Sequence, residues 1–321
     1  MPSFLVNAKM NPELAERVLA SVRGRKRKAG PAARRTDLRR VIAITRVAVV
    51  IAAAFAVYVV VNIRRTAQRE VERSRAQLLE LVRAKGADLS DDDRSSLARV
   101  ESWLVKLSGA YDGDVRGDLA ALSRPMIYVR GDLASFAAPD RIAQVAAVSY
   151  KDALLLCLMD PPKTRLEPEL LAKVHLARAG GAVMEDHTPN VRRLHDLEVG
   201  LPFLLPPWSE RVRTAEDAGD LSRLKRELER APIDRAKQAA RASVLLVAMD
   251  EPGEGATELD GERPHDVRIA LVDLAASTVL FRARRHVDPK WITPAKRPTN
   301  AADLDGCALA HDVHEDLNKP R

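Results

Sequence analysis

The chain has 321 residues and 46% apolar content, which allows one large or two small domains with a real core and excludes a wholly disordered protein. Lys and Arg total 52 against 45 Asp and Glu, a net charge of +7. That excess is local: residues 1–40 hold eleven Lys/Arg against three acids, so the other 281 residues sum to −1. A nucleic-acid-binding body carries its own basic patch, so the charge argues against nucleic acid as a partner. Arg outnumbers Lys by 39 to 13, a bias that points to a GC-rich bacterial coding sequence.

In the tail, Asn11-Pro12-Glu13-Leu14 places a cap, a proline and an acid at a helix start. Leu14, Val18, Leu19 and Val22 follow at helical spacing, and the basic cluster Arg23–Lys28 comes next. Such a segment suits anionic lipid headgroups or a cytoplasmic protein partner.

The run Val41–Ile63 is 23 residues long. As a helix it spans about 34 Å, against a hydrocarbon core of about 30 Å. Arg46 is its one charge and lies near its start, where its head can reach the interface; Val61 and Ile63 close the run. The 40-residue basic region before it is too long for a cleaved signal peptide, so the run reads as an uncleaved signal anchor in the lipid bilayer. Arg34, Arg35, Arg39 and Arg40 on the first flank favour a cytoplasmic N-terminus. Arg64, Arg65, Arg69, Arg73 and Arg75 on the other flank, diluted by Glu70 and Glu72, weaken that bias.

Residues 64–123 read as a helical stalk. Ala67, Val71, Ser74, Leu78 and Leu81 form a short heptad-like seam, and Gly86 breaks the first helix. A second helix starts at Ser90, whose three following aspartates suit a helix N-terminus.

Residues 124–321 read as a mixed α/β (α+β) globular domain. Strands are expected at Met126–Val129, Ala153–Met159, Val244–Met249, Val267–Leu274 and Val279–Val287. Helices are expected near 139–147, 166–178, 189–198, 209–230 and 233–242, with a polar C-terminal helix after the last strands. The last two strands form a hairpin around Ala275-Ala-Ser277. Alternation puts Val279, Phe281, Ala283 and Val287 on its core face and Leu280, Arg282, Arg284 and His286 on the other.

Cys157 and Cys307 could close one disulfide in an oxidising compartment, or remain two buried thiols. Arg282, Arg284 and His286, with Arg285, could present a surface to an anion or a partner, or could pair with the acidic stretch Asp250–Asp266. The stretch Gly200–Trp208, interrupted by three prolines, reads as a buried crossover, or else as a partner surface. His311-Asp-Val-His-Glu-Asp316 concentrates metal-ligand residue types without a metalloprotease spacing, and reads as a polar helix. No P-loop, dinucleotide fingerprint, nucleophile elbow or Cys-x-x-Cys is present. Ser222-Arg-Leu-Lys225 matches Ser-x-x-Lys in a charged helix without its companion motifs. No catalytic, metal or cofactor residue is therefore nominated. The expectation is a non-catalytic interaction or assembly protein of the bacterial inner membrane, with its body in the periplasm. An anchored hydrolase, or a signalling protein whose tail binds a cytoplasmic regulator, are the alternatives.

Overall fold

The computed structural model describes residues 31–117, 119–149, 151–251 and 263–318. The expected helix after Asn11, the cluster Arg23–Lys28 and most of the acidic stretch 250–266 lie outside them. The chain divides into two compact units, Met1–Glu70 and Val71–Arg321.

The described part of the first unit is a helix. It belongs to α1 (Pro31–Lys85), which runs without a break through the expected anchor. Among the described residues, one helix is long and apolar enough to cross a membrane, and its apolar window is wholly unburied. Val47, Val49, Ile51, Phe55, Val57 and Ile63 are 59–66% exposed. Among the described residues, these apolar side chains face outward on every side of the helix, so it has no polar stripe and no buried one.

The second unit is an α/β fold with helices on both faces of one sheet. The strands are β1 (Met126–Asp132), β2 (Val191–Arg193), β3 (Val244–Glu251), β4 (His265–Asp273) and β5 (Thr278–Val287). Their order is β2-β1-β3-β4-β5. β1 pairs parallel with β2 and β3, and the β3–β4 and β4–β5 pairs are antiparallel.

β3 reads Val-Leu-Leu-Val-Ala-Met and is buried on both faces, which is why it is continuously apolar rather than alternating. Leu245, Val247 and Met249 join a core with Ile127 and Val129; Val244, Leu246 and Ala248 join the opposite core with Met126 and Tyr128. The first core is covered by α2 (Asp91–Ser108), α3 (Pro139–Val148), α7 (Leu194–Gly200), α8 (Pro206–Thr214), α9 (Ala218–Arg230) and α10 (Ile233–Ala240). The second is covered by α4 (Ala153–Met159), α5 (Glu167–Ala179) and α11 (Arg297–Asn318). A short helix α6 (Gly181–His187) precedes β2.

Residues 64–123, expected as a stalk, include both the end of α1 and α2. The compact unit begins at Val71, and Leu78, Val82, Val100, Trp103 and Leu104 lie in the first core with the sheet. Ser90 opens α2 with a capping box: its Oγ accepts from the Asp93 N–H (3.1 Å), and the Asp93 carboxylate accepts from the Ser90 N–H (2.9 Å). After α2 the chain is extended, and Val115 bridges Arg282 at the outer edge of β5.

The expected strand Ala153–Met159 is a helix, α4. The run has no β-branched residue, and Asp152 caps it by accepting from the Leu155 N–H at 2.9 Å. A seven-residue apolar run carries no period that separates a buried strand from a buried helix. The expected helix 189–198 begins instead with β2, three residues paired to Met126–Tyr128. The expected helix 209–230 is two, because Asp217 ends the approach and caps α9 through the Asp220 N–H (2.8 Å). Pro206 and Pro207 open α8, where a missing N–H costs nothing; Leu201, Leu204 and Trp208 from the proline-rich stretch are buried.

The hairpin forms with an irregularity. Leu271 pairs Phe281 but Val272 pairs Val279, leaving Leu280 as the extra residue of a bulge. The bulge reverses the alternation at that point. Val279 packs on the first core with Val272, while Leu280, Phe281, Ala283 and Val287 pack on the second. The expected common face of Val279 and Phe281 is therefore split.

Candidate functional site

In the order β2-β1-β3, the chain leaves β1 toward one side of the sheet and leaves β3 toward the other. The carboxyl ends of β1 and β3 are thus a topological switch point, where open α/β sheets place their ligand sites. A buried polar network occupies that position.

β1 supplies Tyr128 and Arg130, two residues apart and so on one face. The Arg130 guanidinium grips Asp250 of β3 with Nε (3.0 Å) and Nη2 (2.9 Å), a two-pronged pair. Nη1 reaches the Asp152 carboxylate at 3.3 Å. The Tyr128 hydroxyl donates to the same carboxylate, at 2.9 Å from each oxygen. Asp152 also caps α4, so one side chain ties helix, strand and guanidinium together. The Ser149 hydroxyl accepts from the Arg130 N–H at 2.9 Å.

Burial opposes the Arg130 charge, but Asp250 and Asp152 outweigh it and hold the guanidinium well above its ordinary pKa. Burial, with the Asp152 charge adding to it, pushes the Tyr128 hydroxyl well up. His265, at the start of β4, donates Nδ1–H to the Arg263 carbonyl (2.9 Å). Its Nε2 faces Asp250 Oδ1 at 3.9 Å, beyond hydrogen-bond reach.

α11 completes the surroundings. Gly306 lets it come close: a Cβ there would meet Leu154 Cβ at 3.2 Å and Arg130 Nη1 at 3.5 Å. Asp305 is 3% exposed. Its Oδ1 accepts from Trp291 Nε1 at 2.8 Å, while Oδ2 has no hydrogen-bond partner. Burial raises its pKa to about 6, against the opposing pull of Trp291 and His265. Chemically, the network spends its one strong cation on two carboxylates of its own chain. Asp305 is a buried carboxyl whose burial moves its pKa toward neutral pH.

A second perturbed group lies on the other side of the sheet. Glu198 of α7 is raised to about 7 by burial, with repulsion from Glu101 of α2 adding to it. Glu198 Oε1 is buried without a partner.

The residues singled out in the sequence lie elsewhere. Cys157 of α4 and Cys307 of α11 are fully buried and joined as a disulfide, with Cα atoms 5.2 Å apart. Arg282 pairs Asp112 (3.1 Å); Arg284 pairs Glu251 (2.6 Å) and Asp266 (2.8 Å); His286 meets Asp266 (2.8 Å). Arg285 holds Asp114 (2.7 Å) and Asp316 (2.9 Å). These pairs fasten segment 111–117 and the ends of β3 and β4 to β5. Tyr111 sits against Arg268 and Arg282, 5.5 and 5.4 Å from its ring centroid. In α11, His314 donates Nε2–H to the Leu158 carbonyl (2.9 Å), and no group of three or more metal-ligand side chains occurs among the described residues. Arg46, Val61 and Ile63 are exposed along α1, and Val41 lies in the same helix.

Sequence reasoning passed over Tyr128, Arg130, Asp152, Asp250, His265 and Asp305. A signal was present: Arg130 and Asp250 each stand near the end of a continuous apolar strand, where a charge needs a partner. The chain matches no protein-family model, no curated protein and no solved structure.

Proposed function

We infer that this is a single-pass protein of a bacterial inner membrane, with its N-terminal tail in the cytoplasm and its α/β domain in the periplasm. It works there as a non-catalytic interaction or assembly protein. The observation that carries this reading is the Cys157–Cys307 disulfide in the core of the second unit. Such a bond persists in oxidising compartments and is rare where thiols are kept reduced. The exposed apolar helix supports an anchor, and the basic excess of residues 1–40 supports a cytoplasmic tail. The switch-point network supports the non-catalytic part of the reading, because its cation is already committed to Asp250 and Asp152 as a structural tie.

Fusing alkaline phosphatase after residue 321 tests the orientation. An active fusion is expected, and an inactive one places the domain in the cytoplasm and overturns the reading. Recovery of one stoichiometric protein partner from detergent-solubilised membranes, dependent on the domain, is the matching test of the interaction role. Turnover of a substrate lost in Asp305→Asn would replace that role with an enzymatic one.

A further inference from the structure

We propose that the helix face carrying Tyr58, Asn62, Arg65 and Arg69 is a clasp for one anionic phospholipid headgroup. The proposal rests on the membrane-anchor reading. From Val47 to Ile63 the helix has no charge for 17 residues. That is about 26 Å of helix, shorter than a hydrocarbon core of about 30 Å. Arg64 and Arg65 are therefore drawn to the phosphate level rather than held clear of it, and Arg69 stands about 6–8 Å further out, still within the headgroup layer.

The four side chains are spaced four, three and four residues apart. At about 100° per residue they fall within an arc of about 60°. An aromatic hydroxyl, an amide and two guanidinia thus stack along one face, across the boundary between hydrocarbon and headgroups. Tyr58 is 66% exposed, and Asn62, Arg65 and Arg69 are exposed. Among the described residues, no intramolecular side-chain partner competes for this face. Thr66 turns its hydroxyl back to the carbonyls of Asn62 (3.0 Å) and Ile63 (2.8 Å). Further along α1, Arg75 and Arg83 are paired with Glu72 and Glu80, but Arg65 and Arg69 hold no ion pair among the described residues. Glu70, the sole acid between residues 64 and 70, lies about 110° off this face. Two forked donors next to a hydroxyl and an amide match a phosphodiester with a polar headgroup. Arg64 carries the same charge at the same depth, but points about 130° away.

That pairing gives the test. The full chain is solubilised in mild detergent and titrated with phosphatidylglycerol or phosphatidylcholine, and bound lipid is counted by native mass spectrometry. One phosphatidylglycerol is expected to bind in preference to phosphatidylcholine. Arg65→Gln and Arg69→Gln should each weaken it about fivefold, and Arg64→Gln less than twofold. Equal binding of the two lipids, or an equal loss in Arg64→Gln, overturns the clasp. Carbonate extraction of membranes separates the two failures: release of the protein overturns the anchor itself, whereas retention with no lipid preference overturns the clasp alone.

Discussion

Replacing Arg130 by Met tests whether the switch-point network is a structural tie. The Met side chain keeps most of the volume and removes the charge. It leaves Asp250, whose side chain is 10% exposed, facing a second carboxylate with neither of its two guanidinium contacts. Breaking a buried pair from one side costs about 3–5 kcal/mol, because the abandoned charge stays desolvated. Asp152 retains Tyr128 and the Leu155 N–H, so its share of the loss is the smaller one. The expected loss is therefore about 3–4 kcal/mol for Arg130→Met. Arg130→Met with Asp250→Asn removes both charges and should recover about 1–2 kcal/mol of it. The assay is urea unfolding of the full chain in detergent, followed by tryptophan fluorescence, since Trp103, Trp208 and Trp291 all lie in the second unit. A loss below about 1 kcal/mol, with coupling to Asp250 below about 0.5 kcal/mol, would refute the tie and leave Arg130 free for a ligand.

Glu198→Gln should stabilise the protein at pH 8 and do nothing at pH 4. The folded carboxyl titrates at about 7 rather than 4.5, so the native state holds its proton more tightly than the unfolded chain does. Wild-type stability contributed by that proton is lost as pH rises between those values, by at most about 3 kcal/mol and by about 1–2 kcal/mol after solvent screening. A variant-minus-wild-type melting difference that is flat across pH would contradict this. Gly117→Ala should loosen segment 111–117 from β5, because a Cβ there falls 1.7 Å from the Leu280 carbonyl oxygen; faster amide exchange at Val115 and Arg282 is the readout. Replacing both Cys157 and Cys307 by Ser opens a loop of 150 residues. Chain entropy sets a ceiling of about 5 kcal/mol and typical bonds deliver about 2–4 kcal/mol, so a denaturation midpoint unchanged from wild type would count against the bond.

What could be read without the structure follows physical lines. The apolar helix, β1, β3 and the β4–β5 hairpin were legible because each is a long or alternating run with its own boundary signals. Ala153–Met159 was not, since burial on all sides erases periodicity and leaves only Asp152's cap to decide. β2 was invisible at three residues, and the bulge at Leu280 depends on pairing rather than on composition. The network at the strand ends is non-local. Arg130 and Asp250 meet only once segments 120 residues apart pair in parallel, and Asp152 joins them through the helix it caps.

The most direct measurement of the central claim is the thiol state of Cys157 and Cys307 in intact cells. Cells making the full chain are quenched in acid, denatured, and treated with a maleimide of visible mass, with and without prior reduction. No labelling before reduction and two labels after it are expected. Two labels on the unreduced chain would contradict the disulfide and remove the argument for an oxidising compartment.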